Sequence, residues 1–436
     1  MPHPSTPPAT IDIAKLGTAI YLGSVQHIYA VPDHAGFMVC ETTEAGSVFD
    51  VGSIFKIEGN DLSRAVFRHA LYSRLGKPET WVRVKKAIEA SSTIGDAWKK
   101  ELLSGPLETM LEKGAMTHHV GMIDAKTGEV VADGMPTNPS CFNVVRRFPV
   151  MKPPQRTFLG GHVYDYAQFH QSESYVIPLE YIVRFGITGG SSVLRKYETL
   201  TDAGKKAYEQ ELGLSGPMQA WQMLARPIYD LTSKYEPEDR NVTKQEAVMM
   251  SGLSASSFLD TVKMAILGGW AVSELLDQIG LTLWDLKWEF AIDREDALFV
   301  DTIDTDSFRA TSFLERDGKK LVIHYNKQSM RDYYKIIHAD WFAGVNEAKK
   351  EAKKSGAPFT EVLKAGQAVG KWPNTPVVDA DFLKLQSDKT FFIRQHVLGS
   401  ESAATVREKL IACGEAEVEF YEKRGLLAKY VEANGV

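Results

Sequence analysis

Residues 281–293, "LTLWDLKWEFAID", constrain this chain more than any other stretch. In an extended strand alternate side chains share a face. Asp285, Lys287 and Glu289 therefore point one way, and Leu286, Trp288 and Phe290 the other. Such a strand belongs in a sheet that packs a core on one side and lines a polar space on the other. A nearby strand brings Asp301, and the loop after it brings Asp304, Asp306 and Arg309.

The other segments extend this pattern. "AIYLGSVQHIYAV" and "GFMVCETTE", joined by "PDHAG", read as a β-hairpin, and "HVGMIDAKTGEVVADG" reads as a second one turning at Lys126-Thr127-Gly128. "DLSRAVFRHALYSRLG" is an amphipathic helix with Asp61 as its expected N-cap. "YVIPLEYIVRFGIT", "ALFVDTID" and "KLVIHYNKQ" are strands, "ARPIYDLTSKYEPEDRNVT" is a polar loop, and 254–281 is one or two helices. "NEAKKEAKKSGAPFTEVLKAG" reads as a solvated helical appendage, and the C-terminal stretch as a long amphipathic helix. Antiparallel strands come first and helices mix with strands later. This order predicts an α+β fold rather than a doubly wound parallel sheet.

Bulk properties narrow the function classes. The 436 residues are 44% apolar and 24% charged, enough for a sizeable core. A net charge of −6 argues against a general nucleic-acid binder. Cys40, Cys141 and Cys413 lack metal-ligand spacing and fit a reduced, cytoplasmic setting. The start, "MPHPSTPPAT", has no apolar core of a signal peptide. The most apolar run, "TVKMAILGGWAVSELL", is interrupted by Lys263 and Glu274, so no membrane association is expected.

Five stretches could carry chemistry. Carboxylates on adjacent strands, here Glu289 and Asp301, suit Mg²⁺, which takes few protein ligands and completes its shell with phosphate and water. A lysine between them, Lys287, can contact phosphate or neutralise the acids. A wet, charged strand face is the plainer alternative. The strand with Glu180 and Arg184 on one face, followed by a small-residue turn and cations, suits an anionic small molecule. Gly23 in the first hairpin could let backbone approach a nucleotide. Lys234 follows Thr232 and Ser233 in the polar loop, and Lys327, Gln328, Arg331 and Asp332 gather at a strand end.

Taken in order, these segments resemble one family, the phosphoribosylaminoimidazole-succinocarboxamide synthases (SAICAR synthetases) of purine biosynthesis. "YLGSVQHIY" is similar to their Y-x-G-K-x-K-x-x-Y opening, and "VIPLEYIVRFGITGGS" to "VPVEVVVRxYLTGS". "PIYDLTSKYEPEDRNVT" resembles "PxxTPTTKAE…HDENIS", and "LTLWDLKWEF" resembles "LxDxKxEFG". "FVDTIDTDSFR" is similar to "LxDEVxTPDSSR", and "YNKQSMRDYY" to "xDKQxxRDWL". The resemblance implies an antiparallel N-terminal lobe and a larger α/β lobe with a nucleotide cleft between them. It implies an ATP-dependent ligase joining an aminoimidazole carboxylate ribonucleotide to aspartate through an acyl phosphate. Glu289 and Asp301 would then hold Mg²⁺ beside ATP, with Gly23, Lys234 and Lys287 at the nucleotide. Lys234, Lys287 and Asp239 would be catalytic. Glu180, Arg184, Thr188, Gly189, Ser191, Arg309, Lys327, Gln328 and Arg331 would face the substrates. The partners implied are a small ribonucleotide and an amino acid, with a homo-oligomer possible.

The resemblance also sets expected boundaries: a disordered lead over 1–15, an N-terminal lobe over 16–76 and an atypical insertion over 77–165. A catalytic lobe over 166–341, a charged appendage over 342–395 and a C-terminal helix over 396–436 complete them. The departures bear on substrate choice. Ser24 and Gln26 replace the two lysines of the opening hairpin. Glu238 stands for the histidine of the HDE motif, Thr302 for the glutamate after the Mg²⁺ aspartate, and Phe308 for a serine. Ser191 falls one place late after Gly189-Gly190. A divergent enzyme acting on another carboxylate or amine, or a non-catalytic nucleotide-binding protein, therefore stays open beside the ligase.

Overall fold

The computed structural model describes residues 6–236, 239–316 and 318–436. The chain is α+β with antiparallel strand pairing in its main sheets, as its segment order predicts. The N-terminal sheet contains β1 (Tyr21–Leu22), β2 (Gln26–Ala30), β3 (Phe37–Thr42), β4 (His119–Ile123), β5 (Val130–Val131) and β6 (Phe142–Arg146). Their order is β1-β2-β3-β6-β4-β5. The two predicted hairpins are present, with Gln26 opposite Thr42 and Met122 opposite Val131. The second turns through Gly128 at φ +73°, a conformation that glycine adopts without penalty.

This sheet alters the expected boundaries. Three of its strands, β4, β5 and β6, come from 77–165, so that region completes the N-terminal lobe. Residues 6–15 also pack on the lobe: Ile11 is buried and donates its N–H to the Gly128 carbonyl. Residues 1–5 of the expected lead lie outside the described residues.

The larger sheet contains β7 (Ser174–Val176), β8 (Leu179–Ile187), β9 (Gln222–Ser233), β10 (Thr282–Asp293), β11 (Asp296–Val300), β12 (Phe308–Arg316) and β13 (Lys319–His324). Its order is β9-β8-β10-β12-β13, with β7 and β11 also pairing with β10. β9 corrects the polar-loop expectation for its stretch. Arg226 to Ser233 extend β8 antiparallel, with Thr232 opposite Glu180 and Asp230 opposite Ile182. A long strand can hold so many polar residues because one of its faces lines the site rather than the core.

Two helices set the frame. α1 (Asn60–Leu75) packs against the N-terminal sheet, and α2 (Ala255–Asp277) against the larger one. α2 begins at Ser254, whose hydroxyl accepts from the Ser257 N–H. Its Gly268 and Gly269 let it approach closely, since a Cβ there would meet the Phe299 and Phe185 rings at 2.9 Å. α1 starts after Gly59, at φ +70°, without a side-chain cap; Asp61 lies inside the first turn and accepts from the Leu62 N–H. Helix dipole and first-turn placement suit the acid there, but the turn geometry at 59 selects glycine.

The C-terminal third is helical. α3 (Gln328–Ile337) follows β13, and α4 (Ala380–Leu398) lies between α1 and α5 (Ala403–Glu422). Val345, Leu363, Trp372, Phe382 and Ile393, from the expected appendage, share one buried cluster with residues from Val48 to Tyr430. That stretch is therefore part of the core, with its other lysines facing outward and Lys389 buried. Among the described residues no helix is long and apolar enough to cross a membrane.

Candidate functional site

The alternation of β10 has its expected consequence. Leu286, Trp288 and Phe290 are buried in the core, and Asp285, Lys287 and Glu289 project from the other face. Lys287 Nζ lies 2.6 Å from Glu180 Oε1 on β8, 2.8 Å from Glu289 Oε1 and 4.0 Å from Asp301 Oδ2. Lys234, just past the end of β9, also contacts Glu289. Thr232 donates its hydroxyl to the second oxygen of Glu180 at 2.9 Å. Strand ends from three parts of the sequence thus converge on one group of two ammoniums and three carboxylates.

Electrostatics divide this group. Burial pushes the Glu289 carboxyl up, but Lys287 and Lys234 outweigh it and hold the acid below its ordinary range. Asp301 moves the other way, raised by loss of water and by the charge of Glu289. Burial would lower the Lys287 ammonium, yet Glu289, Asp301 and Glu180 together raise it. With Glu180 the site holds three carboxylates against two ammoniums, and Glu289 and Asp301 are the two acids brought together from adjacent strands. These are the acids that could hold a cation with outside ligands; among the described residues no group of three or more His, Cys, Asp or Glu has metal-site geometry. Asp301 also has φ +65°, which asparagine and aspartate tolerate better than other side chains but which still costs energy. The Tyr72 hydroxyl donates to the carbonyls of Val300 (3.0 Å) and Asp301 (2.8 Å) and holds this turn.

A second group lies further along the same strands. Arg184 is buried and forks between Asp230 (2.7 Å) and Asp285 (3.0 Å), with its remaining nitrogen 3.1 Å from the Ser192 hydroxyl. Arg309 donates to Asp285 at 2.9 Å and to the Thr188 hydroxyl at 2.7 Å. Asp285 therefore orients two guanidiniums whose planar forks suit phosphate or carboxylate. Nearby, Lys327 and Arg331 are half-buried. The Lys327 ammonium makes no hydrogen bond or salt bridge among the described residues, and burial lowers its pKa. Burial and then Arg309 lower the pKa of Arg331.

Several expected residues sit otherwise than their sequence roles imply. Ser191 is fully buried and caps the short helix Ser192–Glu198 through the Val193 N–H, so its hydroxyl faces inward. Ser192 is the serine that meets Arg184. Gln328 turns toward Asp332 at 2.8 Å. Gly23 fits a tight turn, because a Cβ there would meet the Gln26 carbonyl at 2.9 Å. Gly189 lies beside the Trp221 indole. Asp239 is exposed, and partial burial followed by the charge of Glu180 raises its pKa. Glu238 lies outside the described residues.

Sequence reasoning missed Asp230, Arg64, Arg68 and Tyr72. Asp230 was hidden by the loop reading of β9, although its two-residue spacing from Thr232 is a strand signal. Arg64, Arg68 and Tyr72 stand four residues apart on α1, a spacing that places them on one helix face.

Comparison with known proteins bears on this geometry. Residues 143–348 match the family described as SAICAR synthetase. The chain is 29% identical over 266 residues to a provisionally named phosphoribosylaminoimidazole-succinocarboxamide synthase of Archaeoglobus fulgidus, covering 59% of this chain and 73% of that protein. It is 27% identical over 251 residues to the phosphoribosylaminoimidazole-succinocarboxamide synthase of Thermoplasma volcanium, covering 57% and 71%. A solved SAICAR synthase superposes with a TM-score of 0.49 at 18% identity, over 89% of this chain and 97% of that one. That superposition is too loose to add to the sequence matches.

Proposed function

We propose, from the premise that this chain belongs to the SAICAR synthetase family, that it is an ATP-dependent ligase forming a carbon–nitrogen bond. In this reading an aminoimidazole carboxylate ribonucleotide is joined to aspartate. The observation that carries it is the meeting of Lys234 and Lys287 with the Glu289–Asp301 pair at the strand ends. Two ammoniums suit the phosphates of a nucleotide. A pair of neighbouring acids suits Mg²⁺, which needs few protein ligands when phosphate supplies the rest.

ATP with Mg²⁺, when bound, would activate the substrate carboxylate as an acyl phosphate. The residues of this chain do the remaining work. Lys234 and Lys287 screen phosphate charge and keep Glu289 ionised. Arg184, Arg309 and Thr188, together with Lys327 and Arg331, hold the anionic groups of the ribotide and the amino acid. The amine nitrogen forms its bond to the acyl carbon as phosphate leaves. Asp239, with its raised proton affinity, takes the proton that the amine sheds. A nucleotide substrate and free cysteines support a cytoplasmic setting for this chemistry, and a homo-oligomer belongs to the same reading.

The test is ADP release measured with purified protein. Turnover should require both the aminoimidazole carboxylate ribotide and aspartate. Asp301→Asn should lower kcat by about 100-fold or more while the fold persists; an unchanged rate would remove the acid pair from the site.

One observation favours a second reading. The side chain of Gln26 on β2 accepts from Arg68, so the opening strand offers a half-buried amide where the family resemblance implies a lysine. An altered carboxylate or amine would follow, and ADP release with a different pair only would select it. ATP binding without turnover across a broad amine panel would select a non-catalytic protein.

A further inference from the structure

Arg64, Arg68 and Tyr72 form a stripe at four-residue spacing along α1, and each reaches the segment between Val300 and Asp306. Arg68 Nη2 donates to Asp304 Oδ2 at 2.8 Å. Arg64 Nη2 lies 3.3 Å from carboxylate oxygens of both Asp304 and Asp306. Asp304 is fully buried, and its other oxygen accepts the Asp306 N–H at 2.9 Å. Its carbonyl accepts the Ser307 N–H. The turn from Asp301 to Arg309 is therefore wrapped around one carboxylate that two guanidiniums hold. Burial alone would push that carboxyl up, but Arg64 and Arg68 keep it ionised.

Arg68 does one thing more. Its Nη1 donates to Gln26 Oε1 at 3.1 Å, on strand β2 of the other sheet. One buried side chain thus touches both walls: the opening strand and the turn that carries Asp301. The arrangement is a poor device for stability alone. The Nε and Nη1 of Arg64 and the Nε of Arg68 are buried without partners, and a partly satisfied buried cation is costly. A hydrophobic stripe would hold the helix at lower cost.

We propose that this stripe is a positioning device, with Arg68 as its latch. It registers the Asp301–Arg309 turn against strand β2, so that the acid pair on one side and Arg309 on the other keep their separation. Arg64, Arg68 and Tyr72 act through the turn rather than on a reacting atom. What the turn presents to substrate rests on the ligase reading; the latch itself does not.

The experiment separates the two. Tyr72→Phe removes one hydroxyl, Gln26→Leu frees the β2 end of the latch, and Arg68→Lys keeps the charge but loses the fork. Melting temperature, amide hydrogen exchange over 300–307 and 24–28, and kcat and KM for ATP are measured on each. Tyr72→Phe and Gln26→Leu should melt close to the parent protein. Exchange over 300–307 should rise about tenfold or more in all three, since local opening follows the loss of the contacts that hold a segment. Turnover should fall by about tenfold or more, because small displacements of positioned groups are expensive in rate. Gln26→Lys, which sets a second cation against Arg68, should behave like Gln26→Leu. Unchanged exchange over 300–307 in Tyr72→Phe and Arg68→Lys overturns the latch. Raised exchange with unchanged kcat and KM overturns its positioning role. Absence of ATP turnover in the parent protein defeats the ligase reading, while the exchange data still decide the latch.

Discussion

Asp332 shows how much one buried acid can bias this site. It lies on α3 beside Gln328 and Arg331, 8% exposed, and burial pushes its pKa up to about 6. A carboxyl whose pKa is higher folded than unfolded holds its proton more firmly in the native state. Its contribution is therefore present below about pH 4 and is lost as pH rises through about 6. Asp332→Asn should gain stability relative to the parent protein by about 1.4 kcal/mol per pH unit across that window. Urea unfolding at pH 4 and pH 7 checks it; a constant difference refutes it. The same scale explains what sequence could and could not supply. Lys287, Glu289 and Asp301 were legible because strand alternation puts polar side chains on one face whatever the partner strands are. Phe308 was not. Read against a motif it looked like a lost hydroxyl, but it is 3% exposed and packs on Phe67 with ring centroids 5.5 Å apart. Which face of β12 is interior depends on α1, and α1 is distant in sequence. The helix start at Ser191 was hidden for a similar reason: the sequence does not show that its hydroxyl oxygen accepts the Val193 N–H.

At the scale of elements, β10 is the axis on which the site turns. It pairs with β7, β8, β11 and β12, and its core face is pressed by α2. The glycines of α2 set that pressure. A Cβ at Gly269 would meet Phe185 at 2.9 Å and Leu286 at 3.4 Å, and Leu286 stands between Asp285 and Lys287. Gly269→Val should cost about 1–3 kcal/mol by overpacking. It should also depress kcat, since the strand that carries the charged face must shift. Denaturant midpoint and turnover measured together check this; a stable variant with full activity would show that the strand position is not set by α2. The helix itself was legible from its apolar run. β9 was less so, because a strand with polar residues on the face lining a site has the composition of a loop. Its 12 residues become a strand only through pairing with β8.

The whole molecule is held by contacts between its two ends. Lys389 of α4 is 1% exposed, pairs with Glu417 of α5 at a short distance, and donates to the His324 carbonyl at 2.7 Å. That carbonyl ends β13, just before Asn326, Lys327 and α3. Lys389→Ala leaves the Glu417 charge buried and should cost about 3–5 kcal/mol. Replacing both residues with Met and Leu should restore much of that loss, and a double-mutant cycle in urea measures it. If the single variant costs nothing, the C-terminal helices do not brace the candidate substrate residues. This bracing could not be read from composition, because the lysine-rich surface of 342–395 masks its buried stripe. The packing of α4 on α1 has a further consequence, in the order of events as the chain is made. α1 leaves the ribosome early, and the helix that covers it comes some three hundred residues later. At ordinary rates of synthesis that interval is on the order of tens of seconds. For that time one face of α1 is without its final cover, and Arg68 cannot meet Asp304 until that turn, 236 positions further on, has been made. The N-terminal lobe therefore gains its final cover only when the last part of the chain is made.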